Sequence, residues 1–205
     1  MNEQLSNISF PVMEHFYTIQ GEGRYTGSAA YFIRLGGCDV GCVWCDVKES
    51  WNADSHPKFA LNQMLEWVIN SKANLCVITG GEPAMYDLSL LIDALHQHGV
   101  TVNIETSGAY PIKGNYDWVC LSPKKFKFPI AESLKKANEF KAVVYHPSDI
   151  KWAETFVKDL NPNCVLYLQP EWSKTDTNLP LIIAYVKEYP HWKISLQTHK
   201  YMDIP

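Results

Sequence analysis

The sequence has no long hydrophobic run: no uninterrupted apolar stretch approaches the ~20 residues that a helix needs to cross a bilayer. Nor is there an excess of positive charge. Eighteen Lys and Arg stand against 22 Asp and Glu, a formal net charge of −4, which argues against nucleic acid or an anionic membrane as partner. The opening run MNEQLSNISF has neither a basic segment nor an apolar core, so no signal peptide is expected. Linkers, low-complexity tracts and clear internal repeats are also missing. With 205 residues, 46% of them hydrophobic and 20% charged, residues 1–205 are expected to form one globular domain.

Cysteine is where the sequence becomes specific. Cys76, Cys120 and Cys164 lie in the apolar runs LCVITG, DWVCLS and NCVLYL and read as buried core thiols. Cys38, Cys42 and Cys45 instead share one short loop, GGCDVGCVWCD, with Trp44 just before the last of them. A loop with three cysteines cannot pair them all as disulfides. Thiolates are soft ligands, which leaves an iron–sulfur cluster or a structural zinc. The nearest histidines, His15 and His56, are not spaced like zinc-finger ligands. Three cysteines on a [4Fe–4S] cluster leave one iron open to a small molecule. Unpaired thiols and an oxygen-sensitive loop together predict a reducing, cytoplasmic setting.

Strand and helix signals alternate along the chain. Strands are expected at 30–35, 75–80, 100–106, 117–122, 139–145, 164–169 and in the terminal KISLQ. Helices are expected at 59–71, where Leu61, Met64, Leu65 and Val68 share a face, and at 87–99, where Leu88, Leu91 and Leu95 do. Further helical segments fall near 130–138, 148–159 and 177–189. Roughly six β-α units predict an α/β fold: an open parallel sheet with outer helices, a partial (β/α)6-type barrel. Loops at the strands' C-terminal ends then converge on one rim. There lie the cysteine loop, TGGEP (79–83), ETSG (105–108), LSPK (121–124) and Gln169-Pro170. TGGEP alone reads as a Gly-Gly turn, and ETSG as an ordinary polar turn. Ser122 and Gln169 have weaker individual claims. Lys124, Lys125 and Lys127 read as a solvated basic face from which Lys124 is best placed to turn inward.

Read together, Cys-x3-Cys-x2-Cys with Trp44 and the GGE turn resemble the radical S-adenosylmethionine (SAM) enzymes. QGEG (20–23), Arg34, GGEP, ETSG, LSPK and the QTHK…IP ending narrow the resemblance to the 7-carboxy-7-deazaguanine synthase (QueE) family, over essentially the whole chain. The resemblance implies a radical SAM barrel that converts 6-carboxy-5,6,7,8-tetrahydropterin to 7-carboxy-7-deazaguanine with loss of ammonia, in queuosine and 7-deazapurine biosynthesis. It implies that Cys38, Cys42 and Cys45 hold the 4Fe-4S cluster. Trp44, Gly81, Glu82, Ser107, Ser122, Lys124 and Gln169 would line the SAM site. Ile19, Gln20, Glu22, Arg34, Thr79, His199 and the terminal carboxylate of Pro205 would hold the pterin. A flavodoxin-like electron donor, Mg2+ and a homodimer are implied as well. The family's usual Cys-Asp-Thr reads Cys45-Asp46-Val47 here, so the magnesium ligand is open, with Asp46 as one candidate. A glycyl-radical-enzyme activase shares the cysteine loop but would not need QGEG, Arg34 and His199. A zinc-stabilised binding module would leave GGEP and ETSG unused.

Overall fold

A computed structural model describes residues 2–205. In chain order the elements are α1 (Asn2–Asn7), β1 (Ser9–Ile19), β2 (Ala29–Leu35), β3 (Lys58–Ala60), α2 (Leu61–Asn70), β4 (Leu75–Gly80), α3 (Ser89–Gln97) and β5 (Thr101–Thr106). They continue with β6 (Trp118–Leu121), α4 (Ala131–Lys136), β7 (Glu139–Val144), α5 (Ser148–Val157), β8 (Val165–Pro170), α6 (Thr175–Glu188), β9 (Trp192–Ile194) and α7 (Thr198–Met202). The strands form one open sheet in the order β3-β1-β2-β4-β5-β6-β7-β8-β9. From β2 to β9 every pairing is parallel, as β-α-β crossovers require.

The other edge differs from the expected all-parallel sheet. β1 runs antiparallel to both β2 and β3. Its sequence, SFPVMEHFYTI, carries Pro11 and a register irregularity between Val12 and Glu14, features that disguise a strand. The helix expected from residue 59 starts at Leu61, because Lys58–Ala60 pairs with β1 first. The Gln63 side chain then accepts from the Ala60 N–H at 3.0 Å, satisfying a donor at the helix entry. The last strand ends at Ile194 rather than 197, since Ser195 and Gln197 turn to polar partners described below.

Period-2 alternation divides each strand between two tasks. On β7, Phe140, Ala142 and Val144 pack outward with Leu166, Leu168, Ile182 and Trp192. On the N-terminal half, Ile33, Leu35, Cys76 and Ile78 pack with Leu65, Val68, Leu91 and Leu95 of α2 and α3. The alternate residues, Thr79, Glu105, Lys141, Val143 and Gln169, face a cavity on the concave side. The helices therefore cover the convex face, and the sheet's hollow is left for chemistry. Among the described residues no helix is long and apolar enough to cross a membrane.

Candidate active site

The concave side holds a cavity of about 260 Å³, roofed by the loops that leave the strands' C-terminal ends. The cysteine loop starts where β2 stops. Gly37 and Gly41 have φ of 103° and 74°, backbone that a side chain would strain. The N–H groups of Gly37 and Cys38 donate to the carbonyls of Ser50 (2.6 Å) and Trp51 (3.1 Å), which pins the loop's start. The N–H of Glu82 donates to the Gly37 carbonyl at 2.8 Å, so the GGEP turn packs directly on the cysteine loop. A Cβ on Gly81 would run into that same carbonyl and into the Cys38 side chain. Close approach is what this glycine provides.

Cys38, Cys42 and Cys45 are free thiols and all line the cavity. Burial pushes the Cys38 thiol up, and that of Cys42 up to about 11. Thiols so placed give up their protons when a metal replaces them. A cuboidal cluster takes each thiolate on a different iron, and three cysteines from one loop that all line the cavity suit that demand.

The residues expected to hold SAM follow the loop round the rim. The buried Glu82 carboxylate accepts from the Ala84 N–H (3.0 Å) and Thr106 hydroxyl (2.5 Å) on one oxygen, and from the Ser107 N–H (2.8 Å) and hydroxyl on the other. It thereby clamps GGEP to ETSG. Lys124 turns inward: its ammonium donates to the carbonyl and hydroxyl of Ser122, each at 2.7 Å, and stands 5.5 Å from the centre of the Trp44 ring. Burial lowers its pKa. Lys125 and Lys127 pair instead with Asp149 (2.5 Å) and Asp39 (2.7 Å). Gln169 is fixed by the Ser195 hydroxyl, which donates to its Oε1 at 2.6 Å.

The residues expected to hold the pterin come from both ends of the chain. Ile19 and Gln20 sit where β1 ends, and the Gln20 Oε1 accepts from the Glu22 N–H at 3.0 Å. Ser195 also accepts from the Gly23 N–H (3.0 Å), and the backbone N–H of Arg24 donates to the buried Glu139 at 3.1 Å. These bonds fix the QGEG loop from below. Arg34 reaches the cavity with its Nε donating to Glu14 at 2.6 Å. Thr79 donates to Glu105 at 3.2 Å. His199 and Pro205 arrive on the C-terminal segment, where the Thr18 hydroxyl donates to the Pro205 carbonyl at 3.4 Å. Burial lowers the His199 pKa, against the opposing pull of the Glu22 carboxylate. Asp46 and Val47 also border the cavity, and Asp46 pairs with Lys200 at 3.6 Å.

Every residue singled out from the motifs thus lies on one cavity. Several others do too. Glu105 and Lys141 face it from β5 and β7, and Gln197 donates to Glu22 at 3.0 Å. Phe16, Phe32 and Trp172 supply apolar wall. Lys141 carries no motif signal, since nothing in the run EFKAVV sets it apart from an ordinary strand residue.

Comparison with known proteins agrees with this geometry. The radical SAM superfamily model matches residues 32–143. A 7-carboxy-7-deazaguanine synthase from Flavobacterium psychrophilum is 52% identical over 195 residues, 95% of this chain and 92% of that protein. One from Synechocystis is 43% identical over 201 residues, covering 98% of this chain and 96% of the relative. The crystal structure of QueE from Escherichia coli superposes with a TM-score of 0.86 at 32% identity, over 96% of this chain and 97% of the other.

Proposed function

Because the chain belongs to the 7-carboxy-7-deazaguanine synthase family of radical SAM enzymes, we infer that it contracts the ring of 6-carboxy-5,6,7,8-tetrahydropterin to give 7-carboxy-7-deazaguanine and ammonia, a step of queuosine and 7-deazapurine biosynthesis. The observation that carries this reading is the meeting of QGEG, the cysteine loop, GGEP, ETSG, LSPK and QTHK on one cavity. When bound, the 4Fe-4S cluster and SAM supply a hydrogen-abstracting 5′-deoxyadenosyl radical, chemistry that no side chain offers.

The chain's own residues bind, orient and shield. Cys38, Cys42 and Cys45 hold the cluster. Trp44, Gly81, Glu82, Ser107, Ser122, Lys124 and Gln169 shape the SAM side, with Gly81 giving the backbone approach that a Cβ would block. Arg34, tethered at Nε by Glu14, is aimed to pair with the substrate carboxylate. Ile19, Gln20, Glu22, Thr79, His199 and the Pro205 carboxylate surround the pterin. Carboxylates suit its donor-rich 2-amino edge, since an ionised carboxylate only accepts. Phe16 and Phe32 keep that wall dry.

Magnesium is the implied cofactor that the residues at the cysteine loop do not suit. It demands oxygen ligands, Val47 has none, and Asp46 is engaged by Lys200. The donor set does not fit a dedicated magnesium site. A flavodoxin-like donor is proposed for the electron. The exposure of Val43, 64%, supports it by bringing the cysteine loop to the surface. A homodimer rests on the resemblance. One continuous sheet from residue 9 to 194 supports a single domain over 1–205, and the free thiols support a reducing, cytoplasmic setting.

The test is an anaerobic assay of cluster-reconstituted protein with SAM, reductant and the carboxytetrahydropterin, read by mass spectrometry. Deazaguanine product with SAM consumed only catalytically is the expected result. SAM cleavage to 5′-deoxyadenosine without product would keep the radical class and remove this substrate.

A further inference from the structure

Lys141 stands at the base of the cavity with its side chain 5% exposed. It is ion-paired with Glu22, and its ammonium lies 3.8 Å from the Oε1 of Glu105. The two carboxylates arrive from separate elements, the loop after β1 and the end of β5. Each has a second tether. Gln197 donates to Glu22 at 3.0 Å, and Gln20 donates to Glu105 at 3.1 Å. Stability does not explain a buried ion pair here, because well-packed apolar residues in place of both partners serve as well or better. The neighbours of Lys141 give the reason. Two carboxylates in one secluded site repel, and without a cation one of them takes up a proton. A protonated carboxyl donates, whereas the substrate edge it faces is itself a donor.

We propose that Lys141 is a positioning residue of this enzyme, a single buried cation that holds Glu22 as an ionised acceptor beside Glu105 and so prepares both for the donor edge of the substrate. This rests on the function proposed above. Burial alone would raise the Glu22 carboxyl, but the charge and hydrogen bond of Lys141 outweigh it and hold it at about 2. Burial would likewise lower Lys141, yet Cys120, Glu22, Glu105 and Glu139 keep it well above the lysine range. The other groups facing this pair are Gln169 from β8, Gln197 and His199 from the C-terminal segment, and Lys124 from the loop after β6.

The test measures KM and kcat separately, on cluster-loaded enzyme with saturating SAM, from about pH 6 to about pH 8.5, a window above the ordinary carboxylate range. Lys141→Met is expected to raise the substrate KM by about tenfold or more, the scale of a lost charged hydrogen bond. The ratio to wild type should grow as the pH falls, because burial, no longer opposed by the Lys141 charge, raises the Glu22 carboxyl and favours its protonated form. Lys141→Arg should keep a flat ratio. Glu22→Gln combined with Lys141→Met should abolish the trend, which assigns it to Glu22 rather than to His199, present in every variant. An unchanged KM, a loss equal at all pH values, or a trend that survives in the double variant would overturn the proposal. If Lys141→Met fails to keep its cluster, Lys141→Gln retains a neutral donor and should show the same trend; a flat ratio there would also overturn it. A wild-type enzyme that makes no deazaguanine defeats the reaction reading instead, so the two failures are distinct.

Discussion

The carbonyl of Gly21 accepts two hydrogen bonds from Thr198, one from its N–H and one from its hydroxyl, each 2.9 Å long. The bonds tie the QGEG loop to α7 and set Glu22 and His199 on facing sides of the site. A Cβ at position 21 would run into the His199 Nδ1 and fall 2.6 Å from that residue's backbone nitrogen and 2.7 Å from its Cβ. Gly21→Ala must therefore push α7 away. We expect kcat/KM to fall by up to about 10²-fold, as a displacement of about 1 Å can cause. Iron and sulfide content should not change, because the cysteine loop is elsewhere. Steady-state kinetics beside metal analysis checks this.

The C-terminal residue borders the cavity, and Thr18 holds its carbonyl from β1. A tag fused after Pro205 replaces a carboxylate with an amide and forces more chain through the rim. The C-terminal fusion should lose most of its activity and the N-terminal fusion little. Equal kcat/KM for the two proteins would rule out a substrate contact at Pro205.

Val47 has the shape of threonine without its oxygen, and the neighbouring Asp46 carboxylate stands 3.6 Å from the Lys200 ammonium. The wild-type enzyme should respond weakly to magnesium after chelation and metal add-back. Val47→Thr should respond more steeply, since it restores an oxygen donor beside the cavity. Identical magnesium titrations for the two would show that position 47 does not tune the metal.

Each oxygen of Glu82 accepts one backbone N–H, from Ala84 or from Ser107. In Glu82→Gln, either orientation of the amide must set its NH2 against one of those donors. A buried donor left without an acceptor costs about 1–3 kcal/mol. The urea midpoint should drop accordingly, and SAM affinity should weaken because GGEP and ETSG lose their clamp. A wild-type midpoint would mean that the turns hold each other by other means.

The parallel part of the fold was legible because its strands are short, apolar and spaced by amphipathic helices. Leu75–Gly80 is such a strand and matches its expected limits. β1 was not, because Pro11 and the irregularity near Met13 interrupt its alternation. The rim residues were legible as motifs, since glycine pairs and closely spaced cysteines have few other uses. Glu105 was half visible as the first letter of ETSG. Lys141 lay hidden within an otherwise ordinary strand sequence, where a lysine suggests a solvated edge. Only the register that sets Cys120 opposite Glu139, and Lys141 opposite Tyr167, reveals a polar interior. Gln197 was read as the end of a strand, and its partner lies 175 positions away.

The division of each strand between a packed outer face and a chemical inner face has an evolutionary consequence. On β7, Phe140, Ala142 and Val144 anchor the helices, while Lys141 and Val143 address whatever occupies the hollow. Changes to one set need not disturb the other. A lineage can therefore rewrite the inner letters of its strands for a new substrate while the outer letters, and with them the shell, pass on unaltered.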